Sequence, residues 1–299
     1  MMLKNFGQME QFVREQSGKR RVALAAAHDA DALGSLMMAV DRGIAEAILI
    51  GRREEIVHVL DEMGKDAGDF RIIEEEDDRA AADKAVELVH RGEADMPMKG
   101  LMHTSTFMKA ILDKEKGLKE EGNLLSQASV FEIPEKDRFL IISDCAVNID
   151  PDLETKIKIT ENAATLAHTL GIEQPKIAVL SAVEVVNPKI RSTVDAAAMR
   201  ERLSDRYLID GPLALDNAID EAAAHHKGIE SPVAGKADIL IVPDLWSGNI
   251  FSKGLVFFAH LRSAGTLNGL KAPVVMSSRT DTVENKYLSI LTAVLQTIR

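Results

Sequence analysis

A hydroxyl, a guanidinium and a carboxylate occur together in one short segment near the end of the sequence, at Ser278, Arg279 and Asp281. The segment follows a predicted strand (residues 273–277) and precedes a helix expected to begin near Thr282. A phosphate at such a junction meets backbone N–H groups, the positive end of the helix and the planar donors of the arginine. We therefore predict an anion site here. A simple capped helix with Arg279 in a surface salt bridge is the alternative.

A second candidate anion site is the segment that contains Lys99, His103 and Thr104. The next predicted helix (residues 105–114) carries Lys109, whose ammonium could reach back to an anion bound at the preceding loop. His103 could orient a substrate, although a single loop histidine is more often a hydrogen-bonded structural residue. The alternative for Lys109 is a solvated lysine on a helix surface.

Polar residues also follow several other predicted strands. In alternating α/β proteins, ligands bind at the carboxyl ends of the strands, where loops lead into helix N-termini. Each such residue is equally well explained as a helix cap, but their number favours a shared site. The further candidates for substrate binding are Asp144, Asn148, Glu184, Asp210, Asp244, Asn249 and Lys253.

The single cysteine, Cys145, follows an apolar segment, and we interpret it as a buried small hydrophobic residue rather than a nucleophile. One cysteine excludes an intramolecular disulfide and a cysteine-pair zinc site, and we expect no bound metal. No G-x-G-x-x-G segment follows a strand, Gly235-Lys236 lacks the upstream glycine of a P-loop, and no G-x-S-x-G elbow occurs. These features count against nicotinamide, ATP and serine-hydrolase chemistry.

Short aliphatic segments alternate with helical patterns along the chain, which predicts an α/β fold with mostly parallel sheets and helices on both faces. The apolar segment Ile239-Leu240-Ile241-Val242 is typical of a strand that is buried on both sides. Predicted strands cover residues 21–27, 45–50, 70–74, 131–134, 139–143, 177–181, 239–243 and 273–277. Predicted helices include residues 77–90, 105–114, 154–170, 193–203 and 213–226.

Composition limits the class of protein. Hydrophobic residues make up 46% of the chain but aromatic residues only 4%, so the core should be aliphatic and rich in alanine. The net charge of −11 argues against a nucleic-acid partner, and it requires that any cations binding an anion be concentrated locally. We find no apolar run that would span a membrane and no signal sequence at the N-terminus. Together with the single cysteine, these features predict a cytoplasmic protein.

The same loops, in the same order, resemble those of the phosphate acetyl/butyryltransferase family across nearly the whole chain. The matching segments are Lys99-Gly100-Leu101-Met102-His103-Thr104, Asp144-Cys145-Ala146-Val147-Asn148, Leu180-Ser181-Ala182-Val183-Glu184, Ile209-Asp210-Gly211-Pro212-Leu213, Ser231-Pro232-Val233-Ala234-Gly235-Lys236-Ala237-Asp238, Pro243-Asp244 with Gly248-Asn249, and Ser278-Arg279.

This resemblance implies a two-domain fold similar to that of isocitrate and isopropylmalate dehydrogenases, with the site in the interdomain cleft. We place domain I at residues 1–126 plus 268–299 and domain II at residues 127–267. The resemblance also implies a homo-oligomer of at least two copies. It implies small-molecule substrates, with coenzyme A as a substrate and no bound organic cofactor.

The resemblance further implies roles for individual residues. In the acetyl branch of the family a serine–arginine pair is functional, and it matches Ser278 and Arg279 here. An arginine that binds substrate anions lies on the helix after the His-Thr motif, where this chain has Lys109, one residue closer to the histidine. The acetyl branch has a carboxylate seven residues after the serine, where this chain has Asn285. An amide cannot act as a base, so Asp281 becomes the candidate base, with a helix cap or an ion pair to Arg279 as the alternative.

The reaction implied by the resemblance is the exchange of an acyl group between coenzyme A and inorganic phosphate. The segments 181–188 and 210–218 look more like the butyryl branch than the acetyl branch, so butyryl is the expected acyl group. Phosphate acetyltransferase activity is one alternative, and a non-catalytic sensor of acyl-CoA or acyl phosphate is another. A dehydrogenase on the related fold would require an acidic metal cluster and a nicotinamide site, neither of which we find in the sequence.

Overall fold

The computed structural model describes residues 1–16 and 18–299. In chain order its helices and strands are α1 (Phe6–Glu15), β1 (Arg20–Ala25), α2 (Ala30–Asp41), β2 (Ala45–Gly51), α3 (Arg53–Glu62), β3 (Arg71–Glu74), α4 (Asp78–His90), β4 (Met96–Lys99), α5 (Thr104–Ile111), β5 (Ser126–Ile133), β6 (Arg138–Ser143), α6 (Leu153–Thr169), β7 (Lys176–Leu180), α7 (Arg191–Leu203), β8 (Leu208–Leu213), α8 (Leu215–Ile219), α9 (Glu221–His226), β9 (Ile239–Ile241), α10 (Leu245–Phe257), β10 (Ser263–Asn268) and α11 (Val283–Gln296).

The chain divides into two compact units. The first, here called the terminal unit, consists of Phe6–Asn123 and Ala264–Arg299. The second, the central unit, consists of Leu124–Ser263 together with Met1–Asn5. The first five residues join the central unit because Leu3 donates a backbone hydrogen bond to Leu170 and Lys4 pairs with Asp137.

The terminal unit contains a parallel sheet with the strand order β3-β2-β1-β4. Beyond β4, Val275 forms a parallel bridge to Met98, donates to the carbonyl of Pro97 and accepts from the backbone N–H of Lys99. The chain around Val275 therefore continues the sheet by one short extended segment. Because all of these segments run in the same direction, the loops that follow them leave the sheet at one edge.

Helix α11 is anchored in the terminal unit by a polar network around the buried Tyr287. The Tyr287 hydroxyl donates to Glu10 Oε2 over 2.8 Å, and Arg42 pairs with the same carboxylate over 2.7 Å. The Arg42 guanidinium also lies 4.7 Å from the centre of the Tyr287 ring. Burial raises the pKa of the tyrosine, so its hydroxyl remains a donor to Glu10. These contacts hold α11 to α1 and α2. The loop that precedes α11 therefore ends at a helix whose position is fixed.

The central unit contains strands in the order β5-β6-β9-β7-β8. Strands β6, β9, β7 and β8 are parallel, whereas β5 and β6 form an antiparallel hairpin whose turn includes Asp137 in the left-handed conformation. The expected α/β fold with mostly parallel strands is thereby confirmed. The strand predicted at residues 239–243 is β9, and its three residues are all buried, as the apolar composition indicated.

Two predicted elements differ from the structure, and three strands lie where none was predicted. The segment 273–277 is not a regular strand, since only Val274 and Val275 form isolated bridges. The single helix predicted at residues 213–226 is two helices, because Asp220 adopts an extended conformation and caps α9 through the backbone N–H of Ala223. Strands β4, β8 and β10 were not predicted. The sequence did not predict β4 because it contains Pro97, and it did not predict β8 because it contains Gly211-Pro212. Strand β8 lies at an edge of its sheet, where proline is tolerated.

The described residues contain neither a membrane-spanning helix nor a cluster of metal-binding side chains. Across residues 1–16 and 18–299, no helix is both long enough and apolar enough to cross a membrane. Within the same residues, no group of three or more histidine, cysteine, aspartate or glutamate side chains is placed to hold a metal ion.

Candidate active site

Four loops of the terminal unit leave the carboxyl edge of its sheet with polar residues in them. His28 and Asp29 follow β1, and Arg52 follows β2. Gly100 follows β4, and Ser278 with its neighbours follows the segment at Val275. Two of the predicted anion-binding segments, around Lys99 and around Arg279, are therefore neighbours in the structure.

Gly100 allows the loop after β4 to lie directly against the end of β1. Its backbone N–H donates to the carbonyl of Ala25, and the next N–H, that of Leu101, donates to the carbonyl of Ala26. A Cβ atom at position 100 would lie 2.2 Å from the Ala26 oxygen, so any larger residue would push the loop away. The close approach fixes the direction in which Lys99 leaves β4.

The Lys99 ammonium is buried, with 6% of the residue exposed, at the last position of β4. It donates to the carbonyl oxygens of Gly100 and Met102, both over 3.3 Å, and makes no ion pair among the described residues. Burial lowers the pKa of this ammonium, and the positive charge of Arg279 lowers it further. Lys99 is therefore a desolvated cation whose charge no carboxylate neutralises by direct contact.

The loop that carries Ser278, Arg279 and Asp281 is closed by its own hydrogen bonds. Asp281 Oδ2 accepts from the backbone N–H of Ser278 over 2.7 Å, and the Ser278 and Thr280 hydroxyls lie 3.1 Å apart. The cap of α11 is Thr282, which accepts from the backbone N–H of Asn285. Asp281 thus shapes the loop, while the Arg279 side chain is exposed and forms no ion pair within the described part of the chain.

Lys286 contacts the backbone of this loop, and we did not identify it from the sequence. It lies in the first turns of α11, is 3% exposed, and donates from Nζ to the carbonyl oxygens of Asp281 and Arg279 over 2.5 and 3.5 Å. The sequence did contain a signal, because Lys286, Ile290 and Ala293 fall on one buried stripe of the helix. A lysine on such a stripe needs a polar partner at its tip.

The structure places His103, Thr104 and Lys109 on the helix that follows the Lys99 loop. His103 is the N-cap residue of α5 but makes no side-chain capping bond, and Thr104 is the first helical residue. Lys109 is exposed in the last turn of α5. No hydrogen bond or ion pair in the described part of the chain joins these side chains to Arg279, so their role in binding an anion stays a prediction.

A second polar pair that we did not predict is His28 with Arg52. The arginine Nη2 lies 2.8 Å from His28 Nε2, and the arginine also pairs with Glu55. Burial lowers the pKa of His28, and the charge of Arg52 lowers it further, so the imidazole is held in its neutral form. Its buried Nδ1 has no partner among residues 1–16 and 18–299. A lone histidine after a strand gives no sequence signal that distinguishes it from a structural residue.

In the central unit, Asp144 organises the loop after β6 and is only 3% exposed. Its two carboxylate oxygens accept hydrogen bonds from the backbone N–H groups of Gln127, Ala146, Val147 and Asn148 and from the Asn148 side chain. The Asn148 amide also donates to the carbonyl of Leu125. Asp144 and Asn148 therefore shape this loop, and their role in binding a substrate stays a prediction.

The start of α10 is fitted closely against that loop. Asp244 is the N-cap residue and accepts from the backbone N–H of Ser247, while the Asn249 side chain donates to the carbonyl of Cys145. Gly248 permits the contact, because a Cβ there would lie 2.6 Å from the Asp144 carbonyl oxygen. One turn after Asn249, Lys253 is exposed and lies 6.0 Å from the centre of the Phe257 ring. Among Asp244, Asn249 and Lys253, the lysine is the group most accessible to an anion.

The remaining predicted residues, Glu184 and Asp210, are paired with basic residues. Glu184 Oε2 lies 3.4 Å from Lys227 Nζ and also accepts from the Asn217 amide. Asp210 pairs with Arg200 over 3.3 Å and accepts from the backbone N–H of Gly211. Both carboxylates are partly exposed, so neither pair is expected to contribute more than about 1 kcal/mol.

Three comparisons with known proteins bear on this arrangement. A family model described as phosphate acetyl/butaryl transferase matches residues 79–294. The chain belongs to this family. The phosphate acetyl/butaryl transferase match includes Lys99, the loop of Asp144, the start of α10 and the Ser278 loop.

Full-length relatives carry both family activities in their names. A phosphate butyryltransferase from Clostridium acetobutylicum is 46% identical, with 98% of each chain covered. A phosphate acetyltransferase from Thermotoga maritima is 42% identical, covering 94% of this chain and 97% of its own. Among solved structures, a branched-chain phosphotransacylase from Enterococcus faecalis V583 superposes with a TM-score of 0.83 at 35% identity, covering 93% of this chain and 98% of its own.

The interpretation of Cys145 as a buried hydrophobic residue is confirmed. It is 2% exposed and belongs to the apolar core of the central unit. Burial raises the pKa of its thiol to about 12, and the charge of Asp144 acts in the same direction. At pH 8 a thiol with this pKa has very little of the reactive thiolate form.

We predict that Cys145 in the folded protein reacts with iodoacetamide at pH 8 roughly a thousandfold more slowly than in the unfolded chain, since each pKa unit above the ordinary value costs a factor of ten in thiolate. Alkylation followed by mass spectrometry, with and without guanidinium chloride, measures the ratio. Glutathione at the same pH is the control for reagent activity. A native rate within tenfold of the unfolded rate would contradict the prediction.

Proposed function

We propose that this protein transfers a butyryl group between coenzyme A and inorganic phosphate. Its family membership supports acyl transfer between these two substrates. The structural observation that best supports it is the pair of neighbouring cations Lys99 and Arg279, neither of which forms an ion pair among the described residues. A chain with a net charge of −11 that keeps such cations side by side has a local site suited to an anion.

In the proposed reaction the phosphoryl group of an acyl phosphate lies between Arg279 and Lys99. The guanidinium donates two parallel hydrogen bonds to phosphate oxygens, and the ammonium of Lys99 contributes a point charge. Lys109 remains a predicted third cation. Because phosphate is a good leaving group, stabilising its developing negative charge matters more than donating a proton to it.

The bond changes are those of a direct displacement. The coenzyme A thiolate attacks the carbonyl carbon of the acyl phosphate, the C–S bond forms, and the C–O bond to phosphorus breaks with its electron pair leaving on the phosphate. The reverse reaction is phosphorolysis of acyl-CoA. Ser278 is proposed to hydrogen-bond the reacting carbonyl or the thiol. Cys145 is buried and protonated, which agrees with a mechanism that needs no covalent intermediate on the enzyme.

Asp281 is the proposed base for the coenzyme A thiol. An unperturbed aspartate has a pKa of about 3.9 and a thiol about 8.5, so the proton transfer must be concerted with attack. Asp281 Oδ2 accepts from the backbone N–H of Ser278, and this bond keeps the carboxylate next to Ser278. The alternative is that Asp281 only closes the loop.

Further features of the proposed function stay predictions. These are the homo-oligomer of at least two copies, the cytoplasmic location and the absence of a bound organic cofactor. The substrate-binding roles of His103, Thr104, Asn249 and Lys253 are likewise predicted rather than tested. Phosphate acetyltransferase activity remains a second candidate, favoured by the full-length Thermotoga maritima relative of that name.

We predict that kcat/KM, measured by thiol release with phosphate and a series of acyl-CoA substrates, is highest for butyryl-CoA. Two methylenes buried beyond acetyl would each contribute about 0.8 kcal/mol, which allows roughly tenfold to a few-hundredfold discrimination. Propionyl- and valeryl-CoA are the flanking substrates. An optimum at acetyl-CoA would contradict the butyryl assignment, and no turnover with any acyl-CoA would favour a non-catalytic sensor.

Arg279→Ala is expected to raise the KM for phosphate and to lower kcat, together by about 10- to 100-fold in kcat/KM, because charge-assisted hydrogen bonds contribute roughly 1.5–3 kcal/mol. Lys109→Ala should act in the same direction more mildly, since an ammonium lacks the planar fork. Arg71→Ala is the matched control, because this exposed arginine begins β3 at the opposite edge of the same sheet. Unchanged phosphate kinetics in Arg279→Ala would remove this residue from the proposed clamp.

Asp281→Asn separates the two roles of this residue, since an amide oxygen can still accept from the Ser278 N–H but cannot take a proton. If Asp281 is the base, kcat falls at least a hundredfold at neutral pH and partly recovers as the pH approaches the thiol pKa of about 8.5. A pH profile of kcat from 6 to 9 measures this. A folded variant with near-normal kcat would show that Asp281 acts only in closing the loop.

A further inference from the structure

We propose that Lys286 is a positioning residue for phosphate binding: its buried ammonium holds the Arg279–Asp281 loop in the conformation that presents Arg279 to the anion. This inference rests on the proposed function of Arg279. Lys286 lies outside the resemblance to the family loops and has no part in the mechanism above.

Lys286 places a positive charge at a buried position of α11. Helix α11 is buried along nearly its whole length from Asn285 to Leu295, and Lys286 lies at the beginning of that buried run with only 3% of the residue exposed. A buried ammonium is costly unless its three N–H donors have partners. A methionine would fill a similar volume at lower cost, so the positive charge has to be explained by its contacts.

The Lys286 ammonium contacts the loop before α11 and the first turn of α2. Nζ donates to the Asp281 carbonyl over 2.5 Å and lies 3.5 Å from the Arg279 carbonyl. It lies 3.6 Å from Asp31 Oδ2, in the first turn of α2, and that carboxylate is largely exposed. The shortest contact is therefore to the Asp281 carbonyl, and the two backbone carbonyls that Lys286 reaches flank Thr280.

These two carbonyls hold the loop at points other than the one held by the Asp281 carboxylate. The Asp281 carboxylate holds the Ser278 N–H, while Lys286 holds the carbonyls of Arg279 and Asp281. With both ends of this four-residue loop tied, the direction in which the exposed Arg279 side chain leaves the backbone is set before an anion arrives. Preorganisation of this kind reduces the ordering cost of binding.

Lys286 also adds to the positive potential around the proposed phosphate position. Its charge, like that of Arg279, acts to lower the pKa of Lys99, so the three cations are close enough to influence one another. Such a group is unfavourable in the absence of an anion and favourable once a phosphate dianion is bound. Loss of Lys286 should therefore weaken phosphate binding through both geometry and charge.

The test compares Lys286→Met, which is neutral, with Lys286→Arg, which keeps the charge and donors. Two quantities are measured: the Kd for inorganic phosphate by calorimetry and the steady-state KM values for phosphate and butyryl-CoA. We expect Lys286→Met to raise the phosphate Kd and KM at least tenfold, with the KM for butyryl-CoA within twofold. Lys286→Arg should restore part of the phosphate affinity. Asp31→Asn, which keeps both carbonyl contacts, should stay within twofold throughout.

Either of two results overturns the proposal. The first is a Lys286→Met protein whose phosphate Kd and KM stay within twofold of the wild type. The second is an equal loss of affinity for both substrates that Lys286→Arg does not rescue, since this would indicate a merely structural role. If Lys286→Met does not fold, Lys286→Gln carries the same comparison. Calorimetry needs no turnover, so an inactive wild type would reject the proposed reaction while the phosphate Kd would still decide the role of Lys286.

Discussion

The interaction on which the candidate site depends is the solvation of buried ammonium groups by backbone carbonyl oxygens. Lys99 donates to the carbonyls of Gly100 and Met102, and Lys286 to those of Asp281 and Arg279. A carbonyl dipole stabilises a cation without cancelling its charge, whereas a carboxylate in direct contact would neutralise it. The site therefore keeps a local positive potential on a chain whose net charge is −11. The loops must bring those carbonyls into range, which explains the tight packing at Gly100.

The candidate polar residues of the two units are engaged in different ways. In the terminal unit, Lys99 and Arg279 form no ion pair within the described part of the chain, unlike Arg42 and Arg52 of the same unit. In the central unit, the carboxylate of Asp144 is surrounded by donors from its own loop, and Asp244 caps α10. An acidic side chain engaged in this way stabilises the loop that carries it, and direct contact of these carboxylates with a substrate stays a prediction.

The fold and the candidate site could be predicted from the sequence only where they depend on interactions between residues close together in the chain. The alternation of aliphatic segments with helical patterns was sufficient for the α/β class, and an apolar segment before Cys145 was sufficient for its burial. The candidate residues on the terminal unit were found because loops after parallel strands meet at one edge. Lys286 was not found, because its partners are backbone carbonyls that only the folded loop presents. The substrate-binding role of Asp144 stays a prediction, and the sequence does not reveal that four backbone N–H groups donate to its carboxylate. Strand β4 was missed because Pro97 is a poor strand former, although its carbonyl accepts from Val275.

The two-segment composition of the terminal unit has a consequence for how the protein is made. Ribosomes synthesise the strands of its sheet early, then the entire central unit from Leu124 to Ser263, and only afterwards the segment at Val275 and helix α11. Until then, Glu10 and Arg42 lack Tyr287, and the surface that α11 will cover stays open on the nascent chain. During this interval the early half is exposed to aggregation and to chaperones. The cations of Arg279 and Lys286 are synthesised with α11, so the proposed phosphate site can form only in the final stage of folding of the terminal unit.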